Sequence, residues 1–194
     1  VEQLPCRCVT RNVNLGIALV NHIGTEFGQS VDNAIDGVLV ARNQRAGQND
    51  GVALADLDDV AGVQFEAELV EVVEAYKVGK SNDFEFDIGS LTSAAQLARV
   101  EKFVKDATDK GARVLTGGHS LPAVGPYFYQ PTVITDIGED VLMRCDEVFG
   151  PVIGVYGYSD VDEAIDMAND SEYGLNASII GNRAEAIRIS HFIE

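Results

Sequence analysis

Apolar side chains recur at helical spacing at Val31, Ala34, Ile35, Val38 and Leu39, behind Ser30, a good helix N-cap, and predict a helix there. Phe65, Leu69, Val72, Val73 and Tyr76 form a second apolar face, closed by Gly79. A third helix is predicted from Ser93, which with Gln96 has the spacing of a capping box. It turns Leu97, Val100, Val104 and Ala107 inward and ends at Gly111. After it the pattern changes to short β-type runs. Ala112–Thr116 reads as a strand stopped by Gly117 and Gly118, and Tyr127–Thr135 as another, whose Pro131 points to an edge strand or a bulge. Val152–Tyr158 is a further strand, followed by a helix capped by Asp160 with Glu163 three residues on. Leu175–Ile180 is the next strand, and Asn182 with Glu185 opens a last helix that the chain end cuts short. Helix and strand alternate through the second half, which predicts right-handed crossovers and a layered α/β domain with a mostly parallel sheet. Residues 1–30 sustain neither period, so the chain divides into a divergent N-terminal segment and a domain over 31–194.

The length, 194 residues, suits one domain, and a hydrophobic share of 46% suits a packed core. Lys and Arg number 14 against 31 Asp and Glu, a formal charge of −17. Such a chain repels phosphate backbones and anionic lipid surfaces, so neither nucleic acid nor membrane is expected as a partner. No run approaches the ~18 apolar residues of a membrane span. Val1–Thr10 lacks the basic-then-apolar order of a signal peptide, and Cys6, Cys8 and Cys145 are too few and odd in number for a disulfide framework. A reduced, cytoplasmic protein is expected.

Common chemical motifs are missing. Neither G-x-G-x-x-G nor G-x-x-x-x-G-K-[ST] occurs, and His22, His119 and His191 lie far apart with no partner at metal-ligand spacing. Cys6 and Cys8 lack the two-residue spacer of zinc knuckles and thioredoxin-like sites, and the acidic run Asp56–Asp59 lacks the order of a calcium loop. No metal is expected.

Asp146-Glu147-Val148-Phe149-Gly150-Pro151-Val152 resembles the E-E-x-F-G-P-V signature of the aldehyde dehydrogenase superfamily. Gly111–Gly118 (GARVLTGG), Gly125–Val133 (GPYFYQPTV) and Asn169–Ser178 (NDSEYGLNAS) match that family's run in the same order, and Ala46-Gly47-Gln48 resembles its A-G-Q. The resemblance covers about Val31 to Ser190. Asp87–Ser90 (DIGS), GPYFY and GLNAS look most like a succinate-semialdehyde dehydrogenase branch. The resemblance implies the catalytic-domain fold of that family and oxidation of an aldehyde to a carboxylic acid with NAD or NADP. In that chemistry a cysteine thiolate attacks the carbonyl, hydride passes to the nicotinamide, and an activated water hydrolyses the thioester.

Carried over residue by residue, the resemblance places Glu147 on the glutamate that bonds the nicotinamide-side ribose and Phe149 on the aromatic packed beside it. An ionised carboxylate, acceptor-only, suits two vicinal hydroxyls. Gln96 and Arg99 fall where the family has Gln and Lys near the adenosine ribose, and at three residues apart they share a helix face. The cysteine of G-Q-x-C, however, is replaced by Asp50, a weak nucleophile toward an aldehyde. Cys145 lies on the cofactor side and does not replace it, and the nearest counterpart of the general-base run, Asn14-Leu15-Gly16-Ile17, has an amide in the base position. The catalytic residues are therefore unassigned. The family's N-terminal cofactor-binding domain and its C-terminal oligomerisation strand have no counterpart in the chain. Two expectations follow. One is an aldehyde dehydrogenase catalytic domain, impaired as it stands; the other is a non-catalytic binding or assembly domain that keeps the fold. Apolar surface left by the missing parts makes a homo-oligomer the expected state.

Overall fold

A computed structural model describes residues 39–43, 51–55, 60–80, 85–144, 146–170, 176–180 and 183–193. The first expected helix falls mostly outside these residues, and its last member, Leu39, instead begins strand β1 (Leu39–Asn43). Strand β2 (Gly51–Ala55) was not foreseen, although Val52 and Leu54 alternate with small residues in a run flanked by Asp50 and Asp56. The remaining elements follow the hydrophobic pattern. They are α1 (Val60–Ala75), α2 (Ala94–Asp109), β3 (Arg113–Thr116), β4 (Thr132–Thr135), β5 (Val152–Gly157), α3 (Val161–Asn169), β6 (Asn176–Ile180) and α4 (Arg183–Ser190). Helix α4 closes at Ser190, ahead of the final residues.

The strands form one sheet in the order β3-β4-β5-β2-β1-β6. The layered α/β class holds, but the expected mostly parallel sheet is mixed. Parallel pairing is confined to its centre, β4 with β5 and β5 with β2, while β3–β4, β2–β1 and β1–β6 are antiparallel. Strand β4 is internal rather than an edge, and all four of its residues are buried. Pro131 lies just before its first residue, where a missing N–H removes no ladder bond, and the register shift falls on β3 between Val114 and Thr116.

Burial on both faces of β4 shows how the layers stack. Ile134 joins the main core with Val100, Phe103, Val104 and Ala107 of α2, Val152 and Tyr156 of β5, Ala164, Ile165 and Ala168 of α3, and Ile189 of α4. On the opposite face, by the period of two, lie Val133 and Thr135, and Thr135 Oγ1 donates to Glu66 Oε1 of α1 at 2.7 Å. Helix α1 buries Phe65, Leu69 and Val73 on that side. Burial of the 25 hydrophobic residues of the core among the described residues, the larger ones at roughly 1.5–3 kcal/mol each, is the dominant favourable contribution, opposed by chain entropy of similar size.

Local capping follows the sequence closely. Ser93 Oγ accepts from Gln96 N at 3.2 Å, and Asp160 Oδ1 accepts from Glu163 N at 2.9 Å. The reciprocal halves differ: the Glu163 carboxylate accepts from Ser159 N, and the Gln96 side chain leaves its own helix altogether. Leu97, expected in the core, is only half-buried. Lys110 caps α2, and Gly111 leaves the helix at φ +94°, a left-handed turn that favours glycine. Gly117, also at positive φ, lies so close to β4 that a Cβ would stand 2.2 Å from the Pro131 carbonyl oxygen.

Candidate functional site

Of the stretch between α1 and α2, the described residues 76–80 and 85–93 are tied to each other and to the 125–133 run. Val78 bridges Ile88 in parallel, Gly79 N donates to Ile88 O at 3.1 Å, and Leu91 N donates to Tyr127 O at 2.8 Å. These bonds lay residues 88–92 across the N-terminal end of α2. Opposite them runs the turn into β5, Glu147 to Pro151. Its Phe149 has φ +60°, a conformation that a non-glycine residue adopts only when its surroundings hold it there. Gly150 is buried against α2; a Cβ on it would meet Val100 Cγ2 at 2.3 Å, so a larger residue must push the turn or Val100 aside.

Between the two stretches lies a pocket of about 270 Å³ lined by residues 88–92 and 149–151 with Gln96 and Tyr129. Three of the sequence motifs meet there: DIGS supplies Ile88, Gly89 and Ser90, the GPYFY run supplies Tyr129, and the EVFGP run supplies Phe149, Gly150 and Pro151.

The structure brings all four expected site residues together. Gln96 Nε2 donates to Val148 O at 3.0 Å and to Phe149 O at 2.6 Å. Both partners are carbonyl acceptors, so the amide nitrogen and not its oxygen must face them. Arg99 donates from Nε to Glu147 O at 3.0 Å and from Nη2 to the same oxygen. The Arg99 guanidinium also sits over the Phe103 ring, 4.7 Å from its centroid. Glu147 and Phe149 are half-buried beside Val148, which is buried. Gln96 and Arg99 thus bind three consecutive carbonyls of the turn that carries Glu147 and Phe149. Only Gln96 and Phe149 of the four line the pocket.

Tyr129 was missed by residue-level reasoning, although the GPYFY motif contained it. It is 2% exposed and borders the pocket, and its hydroxyl finds no hydrogen-bond partner among the described residues. Burial, with the nearby Glu101 charge adding to it, pushes its phenol up to about 12, so it is a neutral donor at any physiological pH. Ser90 and Thr92 add hydroxyls to the wall.

Asp50, Cys6, Cys8, Cys145, His22, Asn14 and the run Ala46–Gln48 lie outside the described residues. His119 and His191 are exposed, and among the described residues no cluster of three or more His, Cys, Asp or Glu could hold a metal ion. No helix among them is long and apolar enough to cross a membrane.

The profile of the aldehyde dehydrogenase family matches residues 31–194, so the chain belongs to the aldehyde dehydrogenase family. A Mycobacterium tuberculosis protein provisionally named succinate-semialdehyde dehydrogenase (NADP+) 2 is 46% identical over 128 residues, covering 66% of this chain and 25% of its own length. The mitochondrial aldehyde dehydrogenase of Leishmania tarentolae is 40% identical over 131 residues, covering 67% of this chain and 26% of that protein. Among solved structures, the succinic semialdehyde dehydrogenase of Streptococcus pyogenes in complex with NADP+ superposes with a TM-score of 0.64 at 32% identity. That match covers 75% of this chain and 31% of the other. The chain thus spans about a quarter of the length of the curated relatives it matches. The branch suggested by DIGS, GPYFY and GLNAS agrees with the names of the Mycobacterium tuberculosis and Streptococcus pyogenes proteins.

Proposed function

We propose that this chain is the catalytic-domain part of an NAD(P)-dependent aldehyde dehydrogenase acting on succinic semialdehyde or a similar short aldehyde. In this reading the pocket beside Phe149 takes part of the dinucleotide. The observation that carries it is the convergence of the DIGS, GPYFY and EVFGP motifs on one pocket lined by Phe149, two residues after Glu147. A volume of about 270 Å³ falls just below the roughly 300–1,000 Å³ of whole-ligand pockets, and so suits one ribose or ring, with the remainder outside it. Glu147 would accept from the ribose hydroxyls, Phe149 would pack beside the sugar and ring, and Ser90, Thr92 and the neutral Tyr129 would offer hydroxyls at the wall. When bound, the cofactor supplies a hydride acceptor. Gln96 and Arg99, which the resemblance places near the adenosine ribose, are bonded to the carbonyls of the same turn.

Asp50, where the family has its nucleophilic cysteine, favours a second reading in which the fold is kept for binding or assembly without turnover. One experiment separates them. The amide spectrum of the labelled chain is followed during titration with NADP+ and, separately, NAD+, and NADPH formation from succinic semialdehyde is recorded on the same folded sample. The expected result is a saturable shift at residues 88–92 and 149–151 without turnover, and turnover on joining Asp50→Cys to the family's cofactor-binding domain. No shift with either nucleotide at millimolar concentration would overturn the cofactor reading and leave the binding or assembly role.

A further inference from the structure

Gln96 and Arg99 have a role in the structure that their place in the family alignment does not state. They project from one face of α2, three residues apart, and spend four N–H to carbonyl bonds on three successive carbonyls some fifty residues away in the chain. Those carbonyls belong to Glu147, Val148 and Phe149, and the last of these residues is held at φ +60°. The next residue, Gly150, packs directly on Val100, one position beyond Arg99 on the same helix. Nothing in a turn of this composition favours the left-handed conformation at phenylalanine, which has no side-chain group to bond its own backbone. The conformation is therefore held from outside, and four of the bonds that reach the turn's carbonyls come from Gln96 and Arg99.

We propose that Gln96 and Arg99 are positioning residues: together they set the backbone of the Glu147–Phe149 turn, and through it the placement of Phe149 in the pocket wall and of Glu147 beside it. Their effect on any cofactor passes through the turn, and in that functional consequence the proposal rests on the reading of the pocket as a cofactor site. The division of labour is chemical. The primary amide of Gln96 has two N–H groups and spans two adjacent carbonyls. The guanidinium fork of Arg99 places two donors on one oxygen, and its ring contact with Phe103 fixes the plane of the fork. The sites of attachment are carbonyls, so the turn's side chains can vary without loosening it.

The test needs no cofactor. In the full chain labelled with 15N and 13C, couplings across hydrogen bonds should link the Gln96 side-chain amide to the carbonyl carbons of Val148 and Phe149, and Arg99 Nε–H to that of Glu147. Gln96→Glu keeps the shape but offers acceptors to acceptors. It should abolish both Gln96 couplings and move the amide-to-α-proton coupling of Phe149, which reports φ, while the signals of residues 100–109 stay in place. Gln96→Met serves if the carboxylate unfolds the chain. Arg99→Lys should keep the Phe149 coupling nearer to wild type than Arg99→Ala does, a rescue that lost bulk alone would not produce. In NADP+ titrations, Gln96→Glu should weaken the response less in a Glu147→Gln chain than in wild type, because part of its effect passes through Glu147 and only the part through Phe149 remains. A folded Gln96→Glu or Gln96→Met chain whose Phe149 coupling is unchanged overturns the proposal. Failure of the wild-type chain to bind nucleotide, with the couplings present, overturns the cofactor reading and leaves the clasp standing.

Discussion

Helices α1 and α2 are both sixteen residues long and both bury an apolar stripe, Phe65, Leu69 and Val73 in one and Val100, Phe103, Val104 and Ala107 in the other. Their polar contacts differ in kind. Helix α1 meets the sheet through side chain on side chain: Glu66 accepts from Thr135 at 2.7 Å and pairs with Arg113 at 3.4 Å, and Glu74 accepts from Thr116 at 2.9 Å. Helix α2 reaches past the sheet and binds backbone, the carbonyls of a turn in a strained conformation. A contact between side chains of two regular elements adds stability to an arrangement that burial already favours. Donors on the carbonyls of an irregular turn choose its conformation. The first kind supports a scaffold, and the second prepares a site.

Gly150→Ala should have the largest effect of any single change at the turn. A methyl at 2.3 Å from Val100 must push the turn off α2, at a cost of about 2–3 kcal/mol, read as a lower midpoint in urea or heat. Val100→Ala in the same chain should recover part of that loss by making room. A Gly150→Ala chain as stable as wild type would mean that the turn rests only loosely on the helix.

Thr135→Val probes the α1 side. It removes the hydroxyl that donates to Glu66 from a fully buried position and leaves that carboxylate oxygen short of a donor, for about 1–2 kcal/mol. The loss should appear in the melting midpoint while the signals of Phe149 stay where they are. Movement at Phe149 would show that the two regions are coupled and not separable.

The smallest effect at neutral pH, and the most diagnostic one at high pH, belongs to Tyr129. Its phenol is raised to about 12 in the folded chain against about 10 in the unfolded one, so the folded state binds the proton more tightly. The stability this reflects is fully present below pH 10 and is lost as pH rises toward 12, because the unfolded chain ionises first. Tyr129→Phe should change the midpoint by less than about 1 kcal/mol near pH 7, since the hydroxyl it removes has no partner among the described residues, and should flatten the decline above pH 10. A decline of unchanged steepness would place the alkaline sensitivity elsewhere, with Tyr76 the next group to test because burial and Asp87 raise it too.

Much of this molecule could be read from sequence where the deciding interaction is local. Ser93 and Asp160 cap their helices because a side-chain oxygen and an amide three residues on are neighbours in any helix that starts there. The apolar stripes of α1 and α2 and the stops at Gly111 and Gly117 follow from period and from backbone freedom. Recognition of the EVFGP, DIGS and GPYFY runs brought the family with them. Tertiary structure decided the rest. Pro131, read as the sign of an edge strand or a bulge within Tyr127–Thr135, lies just outside β4, which is interior because β3 and β5 pair with its two edges, while α1 covers its second face through residues as distant as Glu66 and Thr135. Gln96 was legible as a capping partner and as a site residue, yet the destination of its amide, fifty-two residues away, depended on which turn the packing of Gly150 on Val100 would bring within reach. Local hydrogen-bond geometry is set by covalent connection and repeats wherever its residues recur. A donor's distant partner is set by the assembled core, and no period or spacing along the chain encodes it.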